Sequence, residues 1–194
     1  EFTSRADDPQ LHTHVVVANK VAGTDGKWRA LDGRRLYRHQ LAAGYLHEAV
    51  LRYELTRRLG VGWQPVRNGV ADVVGFDRAQ IEAFSRRRRQ AEEWRRNQDL
   101  PETPAARQAA VLATRTSKGS HALGELEVGW RERAVAVGLG PERIARILAE
   151  GAVLVSADVE GLTKELCSVD GLTATSSTFG RADAVKAIAG SLPT

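Results

Sequence analysis

The sequence predicts an α/β fold in which an antiparallel sheet with packed helices is followed by a mostly helical segment. Three observations support this prediction. The β-branched run Val15-Val16-Val17 is followed by Thr24-Asp25-Gly26 and Asn68-Gly69, turn signals that connect antiparallel strands. The residues from Leu36 to Leu59 have the spacing of a long helix. Beyond residue 118 the pattern is helical.

The first predicted elements are two strands and the long helix. Residues 13–22 are expected to form a buried central strand because Val15 to Ala18 is continuously apolar. After the turn, a second strand runs through Trp28, Ala30 and Leu31. The helix ends at Gly60. Its predicted apolar stripe and its tyrosines, which we expect in the core and not in catalysis, are Leu41, Tyr45, Leu51, Leu55, Leu59, Tyr37 and Tyr53.

The later elements follow from turn and cap signals. Strands over 63–66 and 71–76 are expected to flank Asn68-Gly69, and Asp77 is expected to cap a helix that reaches Asn97. Further helices are predicted over 121–137, 142–149 and 184–192, the last one starting at Thr178 or Asp183.

Charge divides the chain into two parts. Residues 1–118 carry 21 Lys and Arg against 14 Asp and Glu, a net charge of +7, whereas residues 119–194 carry 7 against 10. The small polar residues of 114–120 are typical of a linker. We therefore place a domain boundary between residues 118 and 119, with the phosphate-binding potential in the first part.

Composition indicates a globular protein and excludes several classes. Hydrophobic residues make up 42% and charged residues 27% of the 194 residues, which is not the composition of a disordered chain. The single cysteine, Cys167, has no disulfide partner within the chain and fits a reducing compartment. No apolar run approaches the roughly 20 residues of a membrane helix, so we expect a cytoplasmic protein with no membrane partner.

His12 and His14 are the strongest candidates for chemistry. Two histidines at this spacing on a strand share one face, where both imidazoles can bind one divalent ion. The alternative is a pair of half-exposed histidines without a metal ion.

Three segments resemble the MobF-class conjugative relaxases, of the TraI/TrwC type: TSRADDPQLHTHVVVAN with the following DGKWRALDG, the helix LYRHQLAAGYLHEAVLRYELTRRLG, and Phe84 to Arg88. The resemblance covers residues 1 to about 118. It implies that residues 1–118 are the C-terminal part of a relaxase domain with an HUH-type palm. Residues 119–194 would then lead to the helicase-like domain that this family carries on the same polypeptide.

The resemblance also implies an activity and a metal site. In this family a tyrosine attacks a phosphodiester at a plasmid transfer origin, and an ion held by three histidines polarises the scissile phosphate. His12 and His14 match two of these ligands, and Glu1 occupies the position of the third. Either Glu1 is a ligand, or Glu1-Phe2 is a cloning remnant or the edge of a truncated gene. The implied ion is Mg²⁺, Mn²⁺ or Zn²⁺, and Asp7, Asp8 or Gln10 are expected to orient its ligands.

The same resemblance implies that the fragment is inactive alone. The nucleophilic tyrosines belong to a part of the family without a counterpart here, so we expect no catalytic residue in this chain. The sequence has no Gly-x-x-x-x-Gly-Lys-Ser/Thr phosphate loop and contains 0 Met, which leads us to expect a piece of a longer polypeptide.

Single-stranded DNA at a transfer origin is the implied partner, together with other conjugation proteins. Lys27, Arg29 and the run Arg86, Arg87, Arg88 and Arg89 are the candidate DNA contacts. The run is equally compatible with a solvated helix whose arginines pair with Glu82, Glu92 and Glu93. Three other readings stay open: a DNA-binding remnant without a metal ion, a decayed gene product, and an unrelated metalloprotein with the His-x-His pair.

Overall fold

The structure, a computed structural model, describes residues 2–117, 119 and 121–193. The fold of these residues is α/β with an antiparallel sheet, as predicted, and it contains a small two-stranded sheet and eight helices. The elements are β1 (Val21–Ala22), β2 (Trp28–Arg29), α1 (Arg34–Leu59), α2 (Arg78–Ala83), α3 (Arg86–Asn97), α4 (Pro104–Ala113), α5 (Leu123–Ala136), α6 (Pro141–Ala149), α7 (Val159–Leu166) and α8 (Arg181–Ser191).

The chain divides into two compact units. The first unit comprises Glu1–Val16 and Phe76–Ile144, and the second comprises Val17–Gly75 and Ala145–Thr194. The sequence-based boundary between residues 118 and 119 falls within the sequence range of the first unit. Lys118 itself lies outside the described residues, so this boundary stays a prediction.

The predicted central strand over 13–22 is wrong for most of its length. Only Val21 and Ala22 form a strand, which pairs with Trp28 and Arg29 across the predicted turn. Val15 and Val16 are 81% and 92% exposed. A strand needs hydrogen bonds from a neighbour, and within the described part of the chain no strand pairs with residues 13–20. The β-branched run therefore has the composition of a strand without the partner that would make it one.

Helix α1 has the predicted position, but its buried face differs from the predicted leucine stripe. Ala42, Ala49, Arg52 and Thr56 are buried, and α1 packs against α8. Small side chains allow the two helices to lie close together. The buried alanines are Ala42 and Ala49 of α1 and Ala189 of α8. The predicted core positions that prove exposed are Leu41, Leu51, Leu59, Tyr37 and Tyr53, whereas Tyr45 and Leu55 are half-buried. Gly60 ends the helix in the left-handed conformation, as predicted.

The turn at Asn68-Gly69 is confirmed, but the strands that flank it are short. Asn68 and Gly69 have φ values of 52° and 81°, as a type I′ turn requires. Pairing beyond the turn is limited to isolated bridges, with Trp63 opposite Val73.

The helix predicted from Asp77 to Asn97 is interrupted at Phe84-Ser85. Asp77 caps α2, as predicted, through a capping box with Gln80. The hydroxyl of Ser85 donates to the carbonyl of Ile81 at 2.8 Å, a contact that competes with helical hydrogen bonding. A new helix, α3, begins at Arg86.

The remaining predicted helices are present as α5, α6 and α8. Sequence analysis missed α4 and α7, although Thr103-Pro104 and Asp158 are typical helix starts. Among the described residues, no helix combines the length and the apolar character needed to cross a bilayer.

Candidate metal centre

The candidate histidines follow a tightly bonded turn at the start of the first unit. Thr3 and Pro9 form an antiparallel bridge, and the N–H of Gln10 donates to the carbonyl of Phe2 at 2.9 Å. Inside the turn, the Ser4 hydroxyl accepts the N–H groups of Ala6 and Asp8 at 3.1 and 3.2 Å. These contacts fix the chain immediately before the histidine pair.

Asp8 connects this turn to two helices. Its side chain is 3% exposed, and its Oδ2 accepts the main-chain N–H of Arg86 at 2.7 Å. The other oxygen, Oδ1, accepts Nε of Arg86 at 2.8 Å and Nη1 of Arg133 at 2.7 Å. Arg86 also donates to the carbonyl of Ala6. A buried carboxylate with two guanidinium partners is a favourable arrangement here, since each of its oxygens accepts a hydrogen bond from a charged or main-chain donor.

Helix α5 makes two further contacts with this region. The indole Nε1 of Trp130 donates to the carbonyl of Asp7 at 2.7 Å. The guanidinium of Arg133 lies 5.3 Å from the ring centroid of Phe84, within cation–π range. The turn is therefore held by α5 as well as by α3.

The two imidazoles lie close enough to share one ion. The ring centroids of His12 and His14 are 4.9 Å apart with an interplanar angle of 70°. Metal–nitrogen bonds of about 2.0–2.1 Å are compatible with such a separation. Nδ1 of His12 lies 2.9 Å from the carbonyl oxygen of Gln10. Because a carbonyl only accepts, the proton belongs on Nδ1, which makes Nε2 the nitrogen with a lone pair for a metal ion.

The structure does not complete a ligand set around this pair. Within residues 2–117, 119 and 121–193, no group of three His, Cys, Asp or Glu side chains is suited to hold an ion. Glu1, the third ligand suggested by sequence, lies outside the described residues. The two imidazoles fit a divalent ion chemically as part of such a set, and its other positions would be taken by further donors or by water.

The three residues expected to orient the metal ligands, Asp7, Asp8 and Gln10, make different contacts. Gln10 contacts His12 through its main-chain carbonyl. Asp8 binds Arg86 and Arg133, as described above, and Oδ2 of Asp7 lies 3.7 Å from Nε2 of His121.

The four consecutive arginines of α3 are not equivalent. Arg86 binds Asp8, and Arg87 donates to the carbonyl and the hydroxyl of Thr114 at 2.9 and 2.7 Å. Arg88 and Arg89 are exposed. The sequence predicted that all four arginines contact DNA, and this stays a prediction. Arg88 and Arg89 are the two of the four that are exposed.

The other candidate DNA contacts, in the second unit, also differ from each other. Arg29 binds both oxygens of Asp25, at 2.7 and 2.6 Å. The hydrogen bond from Arg29 is the main reason that the pKa of Asp25 falls to about 2. Lys27 is exposed.

Sequence reasoning missed Arg133 and Trp130 as partners of the turn. They lie 125 and 123 residues from their partners in the chain, Asp8 and Asp7. No spacing rule connects residues that far apart, and a single sequence carries no other signal of such a contact.

Comparison with known proteins identifies the family. A sequence model described as TrwC relaxase matches residues 1–137. The chain belongs to the TrwC relaxase family. The match extends past residue 118 and includes α5, the helix that carries Trp130 and Arg133. The predicted resemblance to a MobF-type relaxase is thereby confirmed.

Solved and curated relatives agree with this membership. The chain is 33% identical over 126 residues to the multifunctional conjugation protein TraI of Escherichia coli strain K12, covering 60% of this chain and 7% of TraI. A structure of the conjugative relaxase TrwC in complex with mutant OriT DNA superposes with a TM-score of 0.63 at 34% identity, covering 72% of this chain and 50% of that one.

A metal-bound structure of TrwC with OriT DNA is similar as well, with a TM-score of 0.62 at 35% identity over 70% of this chain and 48% of that one. The chain thus spans about half the length of the TrwC structures and a small fraction of TraI.

Proposed function

We propose that this chain is the metal-binding part of a conjugative relaxase. In this proposal His12 and His14 supply two ligands of one divalent ion, which is Mg²⁺, Mn²⁺ or Zn²⁺. The observation that carries it is the paired geometry of the two imidazoles, 4.9 Å apart, directly after a turn that is bonded to α3 and α5. TrwC, a relative at 35% identity, has a metal-bound structure, which supports the assignment.

The ion would supply Lewis acidity to a phosphoryl oxygen of the bound DNA. This chain's own residues contribute orientation. The carbonyl of Gln10 holds the His12 ring with Nδ1 protonated, so Nε2 is the nitrogen that would bind the ion. Any third protein ligand, including Glu1, is a separate proposal.

We propose single-stranded transfer-origin DNA as the partner, with Lys27, Arg88 and Arg89 as the accessible phosphate contacts. The net charge of +7 over residues 1–118 supports this proposal, as do the OriT complexes of TrwC. Arg29, Arg86 and Arg87 make intramolecular hydrogen bonds, and they contact DNA only if those bonds are shared or exchanged. We also propose other conjugation proteins as partners and the cytoplasm as the location of the protein.

These 194 residues alone should not cleave and join DNA. The tyrosines of the chain lie at positions 37, 45 and 53, all on α1, and none matches the family's nucleophile position. Incubation with a labelled transfer-origin oligonucleotide and Mn²⁺ should give no covalent adduct on a denaturing gel. An adduct that disappears when one of these tyrosines is changed to Phe would contradict this expectation and identify a nucleophile.

Calorimetric titration of the chelator-stripped protein with Mn²⁺, Zn²⁺ or Mg²⁺ tests the metal assignment. We expect one-site binding of at least one of these ions, abolished in both His12→Ala and His14→Ala, because one imidazole alone makes a weak site.

His39→Ala and His47→Ala are the matched controls, since both histidines lie exposed on α1. They should bind the ion as the unaltered protein does. Equal binding by all four variants, or no binding by the unaltered chain, would contradict the proposal. Oligonucleotide binding that depends on salt but not on metal would then favour a DNA-binding remnant.

A further inference from the structure

We propose that Asp8 is the positioning residue for the histidine pair, acting through Arg86 at the start of α3 and Arg133 of α5. This inference rests on the proposed metal-binding function. It assigns to a buried carboxylate, four residues before His12, the task of holding the metal-binding segment in place.

The Asp8 carboxylate contacts the N-terminus of α3. Arg86 is the first residue of this helix, and the preceding Ser85 makes no side-chain capping bond. The Asp8 carboxylate accepts the main-chain N–H of Arg86 at 2.7 Å and therefore performs the capping role from 78 residues away. An acidic group at a helix N-terminus also interacts favourably with the helix dipole. The turn is thus fixed to a rigid element.

The negative charge of Asp8 is shared by two guanidinium groups. One carboxylate with 3% exposure binds the guanidinium groups of Arg86 and Arg133. Removal of the carboxylate would leave two partly buried cations next to each other without their shared anion. The arrangement therefore depends on Asp8 more than on either arginine.

Only a short segment of the chain separates Asp8 from His12. Pro9 follows Asp8 and is bridged to Thr3. The N–H of the next residue, Gln10, donates to the carbonyl of Phe2. The carbonyl of Gln10 accepts a hydrogen bond from Nδ1 of His12. Of the three residues between Asp8 and His12, Pro9 and Gln10 are each held by a contact of their own, and Gln10 also contacts the ring.

Among the residues that the structure describes, the segment that directly follows the histidines is not part of a sheet. In the described part of the chain, residues 13–20 pair with no strand, and Val15 and Val16 are almost fully exposed. A sheet therefore does not fix residues 13–20, whereas the turn before the histidines is bonded to α3 and α5.

Metal affinity of the Asp8→Asn variant tests this inference. The substitution keeps the side-chain shape and removes the charge. We expect the dissociation constant for Mn²⁺ to rise about 10–100-fold with the one-site stoichiometry unchanged, as is typical for residues that orient metal ligands. In the His12→Ala/His14→Ala background, Asp8→Asn should change nothing further.

Glu92→Gln is the matched control for a general loss of stability. Glu92 also binds two arginines, Arg95 and Arg96, on the same helix α3, but the contacts it makes lie within α3. Glu92→Gln should leave the Mn²⁺ affinity unchanged at a temperature where both variants are folded. Equal affinities for Asp8→Asn and the unaltered protein, or equal losses in Asp8→Asn and Glu92→Gln, would overturn the inference. If Asp8→Asn does not fold, Arg133→Gln, which removes one partner of Asp8, takes its place with the same two outcomes.

A second measurement without metal separates this inference from the proposed function. The ¹⁵N heteronuclear NOE of residues 10–14 reports their mobility on the picosecond to nanosecond timescale. It should fall in Asp8→Asn and stay unchanged in Glu92→Gln. Unchanged values in Asp8→Asn would overturn the positioning role whether or not the protein binds metal. A fall in these values, together with no metal binding by the unaltered chain, would contradict the proposed function alone.

Discussion

At the scale of single residues, neighbouring side chains of the same type act differently because their surroundings differ. Arg86 and Arg87 bind oxygen atoms of Asp8 and Thr114, whereas Arg88 and Arg89 are exposed. Four arginines in sequence point around the whole circumference of a helix, since each residue turns by 100°. Only part of such a run can therefore be available to a ligand.

Gly69 shows a second residue-scale effect. Its φ of 81° is in the left-handed region, and a Cβ added there would lie 2.7 Å from three ring carbons of the half-buried Tyr45. We expect Gly69→Ala to destabilise the protein by about 1–3 kcal/mol, because both the backbone and the ring must shift. The midpoint of urea denaturation measures this change.

Gly44→Ala is the control for the loss of glycine flexibility. Gly44 lies inside α1, and nothing lies within 4 Å of a Cβ added there. Alanine should therefore stabilise the helix by about 0.5–1 kcal/mol. Destabilisation by Gly44→Ala, or a neutral effect of Gly69→Ala, would contradict this description of α1 and its neighbouring turn.

Sequence predicted residues with local signals and missed those that act over long distances. The Asn68-Gly69 turn and the Gly60 helix end were predictable because backbone preference determines them, and the spacing of His12 and His14 predicted that their rings lie side by side. The link from Asp8 to Arg133 was missed, since it depends on tertiary packing alone.

At the scale of elements, the start of a helix and the pairing of a strand depend on distant partners. Helix α3 begins where the Asp8 carboxylate meets the N–H of Arg86, which explains why one predicted helix became two. The run of valines at 15–17 has high strand propensity, but propensity without a hydrogen-bonded neighbour does not make a strand. Sequence patterns indicate what an element can be, and its partners decide what it becomes.

The exposed part of α3 carries the element-scale prediction about DNA. Arg88→Ala/Arg89→Ala should weaken binding of a single-stranded transfer-origin oligonucleotide. The slope of log K against log salt should fall by about 0.7 for each lost phosphate contact. Fluorescence anisotropy at several salt concentrations measures both quantities.

Arg57→Ala/Arg58→Ala removes the same charge from α1 and serves as the control. Both arginines pair with Glu54, at 2.9 and 2.6 Å. This variant should change the salt slope less than the α3 variant does. Identical slopes for the two variants would mean that α3 contributes only its general charge.

At the scale of the whole molecule, the chain combines family membership with a candidate site. The family match covers residues 1–137, and the fold class and the relaxase resemblance were predictable because several ordered motifs lie in that range. The two compact units were not predictable, since each unit joins segments that are distant in sequence. The candidate site has two adjacent imidazoles directly after a turn that is bonded to α3 and α5.

The central claim is that His12 and His14 bind one ion together, and ligand counting by pulsed electron paramagnetic resonance tests it most directly. Cu²⁺ suits imidazole ligands and reports each bound ring through its remote nitrogen. We predict the signature of two equivalent imidazoles in the unaltered protein and of a single imidazole in both His12→Ala and His14→Ala. Two imidazoles that persist in either variant, or none in the unaltered protein, would contradict the account.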